Sequence, residues 1–315
     1  MVVLLHCSAY FVSRKPFQAD SSYLFATIID GFCRVCVPLF ILLSGALLLN
    51  RPLPLTVFYK TRFLRILPPL FFWSLLALIY TAWRMKQNGL INYPVLWNNL
   101  AGGRPFYHLW YLFMLPGLYL CAPWLLWLRQ NTALKYYLLL LTSVLTYAVV
   151  HYHQTGGRPD QGQWYFWFLN YLGYFMLGGL IVSLKISYRK LWLLSYLGCT
   201  VVALWLALLP LKQFADFYYL GYQQPLIITA TVALFIYLLK MRIFDGQFLK
   251  KVGSYSFGIY LTHAFILDIL TLALKNSRLL SHSGWGIPLL VLTVLILSAC
   301  VVKLLRITKI GRWIC

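Results

Sequence analysis

His6 sits inside an apolar run, MVVLLHCSAYFV. An imidazole is the usual general base near neutral pH, and an ionisable side chain at bilayer depth marks a functional position. The same residue also suits a hydrogen bond to a neighbouring helix. Arg34 lies in a second run, RVCVPLFILLSGALL, four residues after Asp30. That spacing predicts an ion pair on one helix face, and a substrate-binding arginine is the sharper reading. Ser44 and Gly45 follow in the same run, where they either loosen the helix or let another backbone approach. Ser44 lacks the Gly-x-Ser-x-Gly surroundings that arm a serine nucleophile. Arg62 and Arg65 share one face at i, i+3 beside Lys60, and the spans predict that they open a helix. Guanidinium groups at a helix N-terminus form a phosphate site; anchoring at the headgroups with extended side chains is the commoner reading of such spacing. Tyr260 and His263 share a face in GSYSFGIYLTHAFILDIL, where both catalysis and structural hydrogen bonding fit. Asp268, further along, requires a partner or a watery cavity. His108, His151, His153 and His282 fall at span ends or in a loop.

These side chains must be positioned almost entirely by membrane helices. The chain of 315 residues is 61% hydrophobic and 10% charged, with six acidic residues, all Asp; its mean hydropathy is +0.75. Ordinary soluble domains carry roughly 25% charged residues. Sustained apolar runs predict an all-α polytopic protein with spans at 1–12, 32–50, 63–83, 108–128, 134–151, 164–183, 191–209, 220–240, 253–273 and 286–305. All but the first approach the roughly 20 residues a bilayer demands. The first rises only about 18 Å, so the chain is expected to begin within a helix. The outer loops at 13–31 and 84–107 are the longest, and the single domain expected covers 1–315.

The formal charge of +21 does not indicate nucleic acid, because the basic residues gather in loops and at span ends. The richer set follows the second, fourth, sixth and eighth spans and fills the tail, from Arg51 and Lys60 through Arg129, Lys190 and Lys251 to Arg312. By the positive-inside rule that side is cytoplasmic, and both termini face it. Anionic lipid headgroups are the partners such loops attract. Asp20, Asp30, Asp160 and Asp216 fall on or near the other side. Cys33 and Cys36 form a lone CxxC, a weak metal signal without a second pair, and no metal site is expected.

The order of motifs resembles a known family. A histidine near the end of the first span is followed by R-x3-PLF-x3-SG, then by R-x2-R opening the third. HLWYL and YLCAPWL come in the fourth, YFMLGGLI in the sixth and GSYSFGIYLTH in the ninth. This pattern resembles the bacterial membrane-bound acyltransferase-3 family, and within it the enterobacterial common antigen O-acetyltransferase type. The resemblance implies ten helices and transfer of an acyl group, usually acetyl, onto extracytoplasmic carbohydrate. It implies acetyl-CoA as co-substrate with no bound cofactor, and the bacterial inner membrane as location. It places His6 at the catalytic histidine and Arg62 and Arg65 at the acyl-CoA pair. Arg34, Ser44, Gly45, Tyr260 and His263 fall at recurrent positions, suited to substrate binding or transition-state support. Two departures stand out. The family's arginine about three turns before the histidine would precede Met1, which points to a start placed too late or to weakened donor binding. Ala46 also follows the SG where an aromatic is common. A transporter or flippase for a glycan or lipid-linked sugar is the rival from another class, and a scaffold subunit of an export machine is a third reading.

Overall fold

The computed structural model describes residues 1–13, 20–157, 163–184, 186–209, 218–239, 241, 247–275 and 277–315, with the side chains of 247–250 excluded. Among the basic and acidic residues named for topology, Asp160 and Asp216 lie outside this set. No strand occurs among the described residues. The helices are α1 (Val2–Ser13), α2 (Ser21–Cys33), α3 (Cys36–Leu48), α4 (Leu55–Gln87), α5 (Tyr93–Ala101), α6 (Trp110–Asn131) and α7 (Leu134–Gln154). They continue with α8 (Leu169–Ile181), α9 (Arg189–Leu208), α10 (Pro225–Leu239), α11 (Gln247–Ala273), α12 (Ser283–Leu305) and α13 (Lys309–Ile314). Eight segments are long and apolar enough to cross a membrane, with α2 and α3 counted together as Ser21–Leu48. The protein is therefore polytopic. The apolar α1 and α8 are shorter, at 12 and 13 residues.

The outer surfaces of these helices are what a bilayer solvates. On α4, Phe71, Leu75, Ile79 and Trp83 form a stripe at four-residue spacing and are between 52% and 69% exposed. In water such a stripe would be a large apolar patch. In hydrocarbon it costs nothing, and the polar groups turn inward instead.

Two expectations change. The segment 13–31, expected as a loop, carries α2 from Ser21 onward. Asp20 caps it by accepting from the Ser22 backbone N–H at 3.1 Å, which satisfies one of the first-turn donors. Its inward face is Tyr23, Ala26, Thr27 and Asp30. That mixture lowers the local hydropathy and hides the helix. Second, α4 begins at Leu55 and runs 33 residues through Pro68 and Pro69. Arg62 and Arg65 thus lie about two turns inside the helix. The free N–H groups and the concentrated dipole of a helix start do not reach them.

The chain divides into two compact units, the first comprising Met1–Phe40, Lys185–Trp313 and Cys315, the second Ile41–Leu184 with Ile314. In the first unit α1 is enclosed. Val3, Cys7, Phe11 and Val12 pack with Tyr23 and Ala26 of α2, Leu267 of α11 and Ile287, Leu290 and Val294 of α12. A second apolar cluster joins Val35, Tyr196 of α9 and Ala230, Ala233 and Leu234 of α10. Cys33 and Cys36 are free and buried at the α2–α3 break. In the second unit the small residues of two motifs meet. A Cβ on Gly45 would collide with the Phe175 carbonyl, and one on Gly178 with the Leu42 carbonyl. These reciprocal contacts bring α3 and α8 to backbone distance, the usual work of small residues between membrane helices.

Candidate functional site

In the first unit, packing of α1 against α2 and α11 gathers four of the expected residues. The rings of His6 and His263 lie 5.3 Å apart, centroid to centroid, tilted by 33°. The Tyr260 ring lies 5.9 Å from that of His263, tilted by 40°. His263 is fully buried, and its Nδ1 lies 2.6 Å from the Tyr260 carbonyl and 3.1 Å from that of Ile259. Carbonyls only accept, so Nδ1 carries the proton and donates. The ring is thereby held against its own helix with Nε2 on the opposite edge.

Arg34 lies at the break after α2. Its Nε donates to Asp30 Oδ2 at 2.6 Å, the i, i+4 pair the spacing predicts. Asp30 is 1% exposed and the Arg34 side chain 23%. The guanidinium also lies within electrostatic range of the His6 ring and of the Tyr222 hydroxyl. Tyr222 belongs to the turn before α10 and was not anticipated, because a tyrosine in a short polar connection carries no periodic signal. The cluster therefore holds two imidazoles, a cation fixed by a carboxylate, and phenols. These are the elements of proton transfer next to a developing negative charge.

The second unit holds the remaining expected residues in two settings. Ser44 and Tyr111 of α6 hydrogen-bond through their hydroxyls. Arg62 and Arg65 of α4 lie within electrostatic range of the Tyr119 hydroxyl on α6. Tyr111 and Tyr119 also sense one another electrostatically. Arg65 is exposed, and Arg62 is half-buried with its Nε enclosed and without a hydrogen-bond partner among the described residues. Two guanidinium groups beside a phenol bind phosphate oxygens well. Tyr111 and Tyr119 were missed because aromatics in a membrane run read as belt or packing residues. Among the described residues no group of three His, Cys, Asp or Glu could hold a metal ion.

A polytopic helical protein with an imidazole–guanidinium cluster and a pair of basic side chains for anions is the class that emerges. The family model described as an acyltransferase domain, of the acyltransferase-3 type, matches residues 1–305, and the chain belongs to that family of membrane acyltransferases. No curated protein and no solved structure matches the chain.

Proposed function

We propose that this acyltransferase moves acetyl from acetyl-CoA to a hydroxyl of a cell-surface or lipid-linked carbohydrate. It would work in the bacterial inner membrane with both termini cytoplasmic, as an O-acetyltransferase of the enterobacterial common antigen type. The observation that carries the reading is the His6–His263–Arg34 cluster, gathered where α1, α2 and α11 pack together. In the mechanism, Arg62 and Arg65 hold phosphates of acetyl-CoA. His6 removes the proton of the acceptor hydroxyl, whose oxygen attacks the thioester carbonyl carbon. The tetrahedral oxyanion is met by Arg34, with Tyr260 and His263 supporting the geometry. The C–S bond then breaks, the CoA sulfur takes the proton back from His6, and an acetyl ester and free CoA leave. The positive charge of Arg34 acts on the intermediate more than on the neutral thioester, which is what lowers a barrier.

The test uses protein in proteoliposomes supplied with labelled acetyl-CoA and glycans. Release of one CoA per acetyl ester formed is expected. Movement of glycan across the bilayer with no consumption of acetyl-CoA would replace this reading with a transporter or flippase.

A further inference from the structure

The geometry points to a hydroxyl-binding subsite for the acceptor sugar, formed by Thr27 and Asp30 of α2 and Gln223 of the turn before α10. This deepens the carbohydrate reading above and rests on it.

Thr27 is the first sign. It is 1% exposed, and its hydroxyl has no hydrogen-bond partner among the described residues. The other buried threonines behave differently. Thr200, Thr231, Thr262 and Thr271 each donate to a carbonyl of their own helix. That local bond is the ordinary refuge of a helical threonine hydroxyl. Thr27 has not taken it, although it lies in the middle of α2.

Asp30 is the second sign, one turn further on the same face. Its Oδ2 accepts from Arg34, while its Oδ1 is buried with no hydrogen-bond partner among the described residues. Gln223 is the third. The residue is 1% exposed, and both its Oε1 and its Nε2 are enclosed and have no hydrogen-bond partner among the described residues. The turn that carries it is placed at the C-terminal end of α2: Leu220 and Ile227 pack with Leu204 and Phe32, and the neighbouring Tyr222 lies within electrostatic range of Arg34.

A buried polar group left unpaired costs about 1–3 kcal/mol, and native proteins keep few of them. Four such atoms, on two residues one turn apart in α2 and on a third in the turn packed at its C-terminal end, have no partner among the described residues, and a polar ligand would account for them. Its chemistry follows from the donor set: a hydroxyl that donates or accepts, a carboxylate oxygen that accepts, and an amide that does both. The one carboxylate is already neutralised by Arg34, so the set suits neither a cation nor an anion. It matches a neutral polyol with neighbouring hydroxyl groups, held beside the His6 cluster.

Thr27→Val and Gln223→Met keep the shapes and remove the hydrogen bonds. Glucose- and N-acetylglucosamine-terminated oligosaccharides, with their monodeoxy analogues, serve as acceptor probes. Each variant is expected to raise acceptor KM about tenfold or more, with acetyl-CoA KM unchanged and the melting temperature held or raised. In wild type, one deoxy analogue should suffer a similar loss, and that loss should vanish in the matching variant. If Thr27→Val fails to fold, Thr27→Ala, which also removes the hydroxyl, is read against the wild-type deoxy series in its place, with Thr27→Ser expected to keep the wild-type acceptor KM. Unchanged acceptor KM, with no deoxy penalty, would mean that these groups hold water only, and the subsite falls while the acetyltransferase reading stands. A wild-type protein that acetylates none of the glycans would overturn both.

Discussion

Asp30 and Arg34 illustrate how one residue makes another tolerable. A lone carboxylate deep in a membrane helix costs roughly 2.5–3.5 kcal/mol on insertion scales, yet Asp30 is almost fully buried and paired at 2.6 Å. Removing one member of such a pair strands the other, so Asp30→Ala is expected to destabilise by about 3–5 kcal/mol. Asp30→Ala with Arg34→Ala should lose less than Asp30→Ala alone. Detergent-unfolding midpoints of the two variants check this, and equal losses would deny the coupling. The pair was legible in the sequence because four residues is one helical turn. The contact of His6 with His263 was not, since 257 positions separate them and no local rule reaches that far. What the sequence supplied was the cost of each imidazole in an apolar run, which marked both rings singly. Tyr222 and Gln223, in a short polar turn, carried no such mark.

The helices position these residues through small-residue contacts and a long, proline-tolerant α4. Gly45 and Gly178 each meet a backbone carbonyl, of Phe175 and Leu42 respectively, and a backbone carbonyl cannot swing aside as a flexible side chain can. Gly45→Leu or Gly178→Leu should therefore cost at least about 1–3 kcal/mol, read as a lower melting temperature in detergent. Retention of the wild-type melting temperature would contradict the packing. The small residues were readable as a site of close approach, but the partner helix was not. For α4, the basic residues from Arg51 to Arg65 read as the loop and opening of a span at 63–83, so the helix start was placed late. The correction alters the chemistry expected of Arg62 and Arg65: in the proposed donor site, any pull on phosphate would come from their own charge and the nearby Tyr119 hydroxyl, without a helix start behind them. Arg62→Ala and Arg65→Ala are each expected to raise acetyl-CoA KM roughly 10- to 100-fold, leaving acceptor KM unchanged. A rise in acceptor KM alone would remove them from donor binding.

For the molecule as a whole, hydropathy identified the membrane class because the bilayer requires helices of sufficient length, and eight segments among the described residues meet that requirement. The proposed chain direction rests on the distribution of Lys and Arg. Cysteines introduced at Arg51 and Asn131, in a background cleared of native cysteines, are expected to be labelled from the cytoplasmic side, and those at Gly89 and Ser281 from the opposite side. The reverse pattern would invert the proposed orientation. The central claim is narrower and concerns one ring. In purified protein with labelled acetyl-CoA and an acceptor glycan carrying free hydroxyls, His6→Ala should lower the first-turnover rate of ester formation by about 10²–10⁴ while acetyl-CoA still binds. An undiminished first-turnover rate would show that His6 takes no proton in this reaction, and the catalytic assignment of the cluster would fail.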